Sequence, residues 1–433
     1  MLSIQNNAPL CRKWIFLAVC ALACSGLLSI IVISLRLPFI SSLVPSAQYI
    51  FDNALVIHVN LSILVWMCSI ISLLFIINLQ NTNNWLNFLW ILSTLSMLLM
   101  FISAFVPSTE VIKSNYIPVL QNKLFLFGLS LFITSILINA VLTYMSNKQA
   151  SYLSVGQVGL VIILVSSLLC FVLAHKNMPT GLYHSDKNLF YEYLFWGGGH
   201  LLQFAFAQGV FLVYLIMLSS SDISLASNNK ITILPLFINT ILVVGAPFTY
   251  FVYSVDSAEL IQFFTWHMRI AGAVLPCFLI MLVYRNIKTL LDEKGNYLLH
   301  SFVLFIYGGV LGVLTIEGNV TIPAHYHGSV VGITIAFMNF VYWLLPKLGC
   351  KEIKSSIVRL QIYAYSLGHF LHITGLVWLG GYGALRKVAD LPSISSVLAR
   401  ICFIMGGAVS VVGGMLFVII VLLSLLKGRA RTD

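Results

Sequence analysis

Two histidines one residue apart, in Ile322-Pro323-Ala324-His325-Tyr326-His327-Gly328, stand at the start of a long apolar segment. On a helix, positions i and i+2 lie about 200° apart, so imidazoles spaced this way face opposite sides. Neutral imidazole is a good axial ligand for heme iron. Two on one iron give a low-spin, six-coordinate centre for electron transfer, and one alone leaves a face open for a gas. A helix carrying this pair could therefore serve two macrocycles, one on each side. The plainer alternative is a pair of interfacial histidines, and the rest of the chain must decide between them.

The elements that would position these residues follow from composition. With 433 residues, 60% hydrophobic and 8% charged, the chain has too little polar surface for a soluble globule and reads as an all-α integral membrane protein. Apolar segments long enough to cross a hydrocarbon core of about 30 Å fall at 14–36, 50–78, 85–107, 121–145, 154–174, 194–219, 230–253, 260–286, 298–316, 326–346, 358–381 and 399–426. They predict a twelve-helix transmembrane bundle. The first run follows Arg12 and Lys13 and is longer than the apolar core of a signal peptide, so it is expected to be a retained helix. No loop is long enough for a soluble domain, and residues 1–433 read as a single membrane domain.

The formal charge of +10 is spread over loops with no dense basic stripe, which argues against a nucleic-acid partner. Topology accounts for it better. With the N-terminus inside, Arg285, Lys288, Lys294, Lys347, Lys351, Lys354, Arg359, Lys427, Arg429 and Arg431 all fall on the cytoplasmic side, as the positive-inside rule requires, and both termini are cytoplasmic. This places the chain in a bacterial inner membrane. The thirteen carboxylates lie almost entirely in loops or at segment ends, unlike the midplane ligands common in ion-coupled transporters. The eight cysteines form no CxxC or CxxCH pattern and are expected to be packing residues.

In this topology even-numbered segments run from outside to inside, so residues near their starts share an outer-leaflet depth. His58, His200 and His325/His327 all qualify, within roughly a dozen ångströms at 1.5 Å per residue. No histidine pair shows the spacing of about 13 or 14 residues typical of cytochrome b helices.

At this point the residues resemble the heme-copper oxidase superfamily, whose subunit I is a twelve-helix bundle that reduces oxygen or, in one branch, nitric oxide. The resemblance covers most of the chain. It implies two hemes, with b the expected type. His325 would be the axial ligand of a high-spin heme, and His58 and His327 would hold a low-spin heme. Phe195-Trp196-Gly197-Gly198-Gly199-His200 is similar to the family's entry to the copper-ligating helix, which makes His200 the copper candidate. The eleventh segment carries His369 and His372, expected to be helix-contact residues, and ends in Arg386-Lys387, which the resemblance places at the heme propionates.

The pattern breaks at copper. Oxygen-reducing members add two adjacent histidines on the seventh segment, where this chain has Phe248 and Thr249. In an alternative register, Trp266-His267-Met268 supplies one further imidazole. The position of the oxidase tyrosine, four residues after His200, is Phe204, and Gln203 and Gln208 do not replace a carboxylate; Tyr250 and Tyr253 remain as other phenols. The copper centre is therefore expected to be incomplete. The function implied is a respiratory oxidoreductase passing electrons from a cytochrome c-like donor through a low-spin heme to a high-spin heme that reduces oxygen, with accessory oxidase subunits as partners in the bilayer. The alternatives are a nitric oxide reductase and a non-catalytic heme relay, sensor or assembly protein of the same fold.

Overall fold

The computed structural model describes residues 4–36, 38–79, 83–107, 109–146, 151–221, 229–292, 297–315, 319–385 and 396–428. Every apolar segment marked by the sequence is helical within these residues. In chain order the helices are α1 (Ala8–Ser34), α2 (Pro38–Leu43), α3 (Ala47–Val59), α4 (Trp66–Ile76), α5 (Asn84–Ser103), α6 (Lys123–Met145), α7 (Tyr152–Lys176), α8 (Leu182–Ser185) and α9 (Lys187–Ser221). They continue with α10 (Asn229–Val244), α11 (Ala258–Ile270), α12 (Val274–Arg285), α13 (Ile287–Asp292), α14 (Leu298–Val313), α15 (Thr321–Leu344), α16 (Ser355–Gly381) and α17 (Val397–Leu426). A π-helical stretch, Asn60–Val65, joins α3 to α4, and a 3-10 turn, Ala246–Phe251, follows α10. A short antiparallel hairpin pairs Val111 with Leu120 and Ile112 with Val119.

Among the described residues, ten helical spans are long and apolar enough to cross a membrane. The other two predicted segments fall short for different reasons. α14 has 16 residues, while α16 has 27 but gives part of its length to Gln361, Ser366, His369 and His372. The chain is a polytopic helical membrane protein.

The chain forms two compact units. Unit 1 comprises Met1–Trp14 and Cys68–Ile287, and unit 2 comprises Ile15–Met67 and Lys288–Asp433. In unit 1, small and hydroxyl side chains let helices approach closely. Ser93 on α5 hydrogen-bonds Ser135 on α6 at 2.8 Å, and Ser167 on α7 donates to Gly198 O on α9 at 2.7 Å. In unit 2 two glycine-lined contacts dominate. A Cβ on Gly328 of α15 would lie 2.7 Å from Gly308 N on α14, and one on Gly368 of α16 would lie 2.9 Å from Ser410 Cα on α17. Without an apolar driving force between lipid-solvated helices, such close backbone packing is what holds a bundle together.

Candidate functional site: a histidine-lined cavity

Unit 2 holds a cavity of about 220 Å³, open at its mouth and walled by α1, α3 with its π-helical extension, α15, α16 and α17. His58, His327, His369 and His372 line it, together with Arg36. On α16 the cavity-facing residues Tyr365, His369, His372 and Leu376 recur at helical spacing and form one stripe.

Each imidazole is oriented by the same device. His58 Nδ1 lies 3.0 Å from Ser25 O and 2.9 Å from Ser25 Oγ. Ser25 Oγ in turn donates to His58 O at 3.1 Å, and Ser62 Oγ donates to the same carbonyl at 2.7 Å. His327 Nδ1 meets Pro323 O at 2.7 Å, His369 Nδ1 meets Tyr365 O at 2.9 Å, and His372 Nδ1 meets Phe403 O at 2.8 Å. A carbonyl only accepts, so Nδ1 carries the proton in all four and Nε2 presents a lone pair. Metal-bound histidines are held in this way, with the far ring nitrogen donating to a backbone oxygen. The π-helical stretch begins two residues after His58, a type of irregularity that is frequent at functional sites.

Arg36, two residues past the end of α1, was not among the residues singled out from the sequence. Its guanidinium stands 5.4 Å from the Phe51 ring centroid and 5.5 Å from that of Phe403. Nε is buried with no hydrogen-bond partner. The side chain as a whole is half-buried; a single buried donor left unsatisfied costs about 1–3 kcal/mol, and an anionic group in the cavity would offset that cost. Two imidazoles with free Nε2 lone pairs lining one cavity, and a guanidinium beside them with a buried unpartnered Nε, are the donor set that a heme and its carboxylates would call on. Arg386 and Lys387, expected at the propionates, lie outside the described residues.

His325 is absent from this cavity lining, in keeping with the opposite faces set by the i, i+2 spacing. It packs on α14 instead. Its Nδ1 donates to Gly308 O at 2.7 Å, and a Cβ on Gly312 would lie 2.6 Å from the ring. Nε2 again has no hydrogen-bond partner among the described residues.

The remaining candidates lie in unit 1. His200 is buried on α9. Its Nδ1 donates to Trp196 O at 2.7 Å, and its Nε2 is 2.8 Å from the Tyr116 hydroxyl. The three preceding glycines are packed against side chains: a Cβ on Gly197 would meet Tyr250 and Phe264, one on Gly198 would meet Phe171, and one on Gly199 would meet Tyr116. His267 Nε2 donates to Leu242 O at 2.8 Å, its Nδ1 is buried without a partner, and Phe204 lies 5.0 Å from its ring. In the 3-10 turn, Phe248 is 64% exposed and Thr249 Oγ1 donates to Ala246 O at 2.7 Å. Tyr250 is buried and Tyr253 exposed. Gln208 is engaged with Gly156 O and Asn239. Among the described residues no three or more His, Cys, Asp or Glu side chains gather as a metal-ion site. Tyr116 gave no signal in the sequence; it sits in the loop of the short hairpin, 84 positions from its partner.

Apolar helices, with a cavity lined by four oriented imidazoles in unit 2, define a polytopic integral membrane protein. The chain belongs to the cytochrome c and quinol oxidase polypeptide I family, which it matches over residues 10–416. An uncharacterized protein of Rickettsia prowazekii is 29% identical over 96% of both chains. A second uncharacterized protein, from Aquifex aeolicus, is 25% identical over 78% of this chain and 85% of its own. A probable cytochrome c oxidase subunit 1-beta of Nocardia farcinica is 28% identical over 47% of this chain and 37% of its own. The chain is thus a divergent heme-copper oxidase subunit I-like protein, in a family that points to oxidoreductase chemistry.

Proposed function

We propose that this chain is a heme-binding electron-transfer protein of the respiratory membrane, with a low-spin heme held between His58 and His327. The observation that carries this reading is the shared orientation of the two imidazoles, which line one cavity with Nδ1 committed to Ser25 O and Pro323 O and Nε2 free. A heme held by two imidazoles supplies a one-electron iron couple with no open face for a gas. Ser25 fixes the His58 tautomer through its carbonyl and hydroxyl, and Arg36 offers an unpaired N–H to a propionate. Arg386 and Lys387, which follow α16 closely in sequence, add positive charge for the same carboxylates.

The electron donor is a cytochrome c-like protein on the outer side, and accessory oxidase subunits are the further partners. Arg285 at the end of α12, Lys347 just after α15, Lys354 just before α16 and Lys427 just after α17 support the reading that both termini are cytoplasmic in a bacterial inner membrane. The test is purification of the full chain in mild detergent, followed by a pyridine hemochrome assay and low-temperature electron paramagnetic resonance. The expected result is a bis-imidazole low-spin signal that both His58→Ala and His327→Ala abolish. A folded preparation without heme would overturn the proposal, as would a signal indifferent to both substitutions.

Reduction of oxygen, or of nitric oxide, at a second heme held by His325 is the second reading. It is favoured by the free Nε2 of His325 and by the fixing of its ring between Gly308 O and Gly312. A carbon monoxide difference spectrum lost in His325→Ala, together with oxygen uptake from reduced cytochrome c, supports it. Spectra inert to carbon monoxide leave electron transfer through His58 and His327 alone.

A further inference from the structure

The family implies copper beside the sixth-segment histidine, and the residues around His200 do not fit one. The reason lies in hydrogen bonding as well as in ligand count. Since Trp196 O can only accept, His200 Nδ1 carries the proton and Nε2 is the lone pair a metal would need. That lone pair already accepts from the Tyr116 hydroxyl at 2.8 Å. The phenol is held in place from several sides. Asn115 N–H donates to Glu192 Oε2 at 3.0 Å, and the Asn115 amide donates to the other carboxylate oxygen, clamping the hairpin loop onto α9 two turns before His200. The Tyr116 ring covers Gly199, where no Cβ could stand, and packs edge-on to Trp196 at 5.8 Å. Phe264 closes another side of the imidazole at 5.9 Å.

We infer that Tyr116 is a built-in substitute for copper: its hydroxyl occupies the coordinating lone pair of His200, and Gly199 and Glu192 position it there. An ordinary phenol titrates near pH 10, so Tyr116 keeps its proton at neutral pH and remains a donor. A metal ion reaching His200 must break this bond and strand a phenol in an aromatic box. His267, the other imidazole proposed for the site, gives its Nε2 proton to Leu242 O and keeps its lone pair on a buried Nδ1, so His200 and not His267 is the histidine that the phenol satisfies.

The test uses the purified full-length protein, titrated with Cu(I) against a colorimetric chelator and analysed for bound copper. Wild type, Tyr116→Phe, His200→Ala and the Tyr116→Phe/His200→Ala double variant are compared. Wild type should hold no stoichiometric copper. Tyr116→Phe frees Nε2 and should bind Cu(I) roughly tenfold more tightly, the scale of one net hydrogen bond, and the double variant should lose that gain. Stoichiometric wild-type copper that His200→Ala removes would overturn the inference. So would a Tyr116→Phe protein with wild-type thermal unfolding and no tighter binding. The heme reading is scored separately by the absorption spectra of the same samples, because every residue of this test lies in unit 1 and both heme histidines lie in unit 2.

Discussion

Adjacent glycines on α14 offer a controlled test of what holds the helices around His325. A Cβ on Gly308 would lie 2.5 Å from the Gly328 carbonyl carbon, 2.8 Å from Gly328 Cα and closer still to Ser329 N, whereas one on Gly309 meets nothing within 4 Å. Carbon atoms in contact prefer about 3.5–4.0 Å, so Gly308→Ala must drive two backbones apart by about 1 Å, and backbone atoms cannot rotate away. Overpacking of this kind costs about 1–3 kcal/mol. Both substitutions gain the same helix propensity, about 1 kcal/mol over glycine, so the difference between the two variants isolates the clash. The wedge also moves Gly308 O away from His325 Nδ1, loosening a 2.7 Å hydrogen bond. The assay is thermal unfolding in detergent at a fixed scan rate, since membrane proteins commonly unfold irreversibly and only matched scans compare. Gly309→Ala should unfold at or above the wild-type temperature and Gly308→Ala several degrees below it. Equal midpoints for the two variants would refute the idea that direct backbone contact sets the α14–α15 crossing.

Replacing Arg36 with Gln removes the cation assigned to a propionate; with a charge-assisted hydrogen bond worth about 1.5–3 kcal/mol, heme transfer to apomyoglobin should speed up about 10- to 100-fold, and unchanged transfer would remove Arg36 from the site. Ser25→Ala deletes the hydroxyl but keeps Ser25 O as the acceptor for His58 Nδ1, so the heme spectrum should persist with about 1 kcal/mol of lost stability, read from denaturant titration. The raised pKa of Tyr116 gives a signed pH effect. The unfolded phenol ionises near pH 10 while the folded one stays protonated, so the folded state binds more protons and stability falls as pH rises above about 10. The alkaline drop in unfolding temperature should therefore be smaller in Tyr116→Phe than in wild type; parallel curves would contradict it.

What the sequence disclosed follows the range of the interactions involved. Runs of apolar residues are local, so all the helical segments could be placed, and the i, i+2 spacing alone separated the faces of His325 and His327. The π-helical turn after His58 has no such local signature. Nor does the division of the chain, in which α1 contributes to both units. His369 and His372 read as helix contacts because their stripe on α16 points inward only once α17 brings Phe403 O to His372. Arg36 needed Phe51 and Phe403 around it before its buried Nε could count as unpaired. The glycine run before His200 announced a close approach, but nothing in its spacing told an aromatic neighbour from a macrocycle.

The two units treat the same side chain in opposite ways, and the difference tracks what each cofactor demands of the protein. A heme brings its own equatorial nitrogens, so the chain need only keep two imidazole lone pairs free; in unit 2 each cavity histidine gives Nδ1 to a backbone carbonyl and leaves Nε2 open. A copper ion without a macrocycle draws every strong donor from side chains. A site with Phe248 and Thr249 in place of two of them has little left to bind with, and an imidazole facing such a site would be an unsatisfied buried acceptor. Tyr116 removes that penalty by donating to His200. If unit 2 holds the proposed heme, a chain without a competent copper site needs only one phenol to satisfy His200 while the histidine-lined cavity stays available, which is why unit 2, and not unit 1, carries the functional argument.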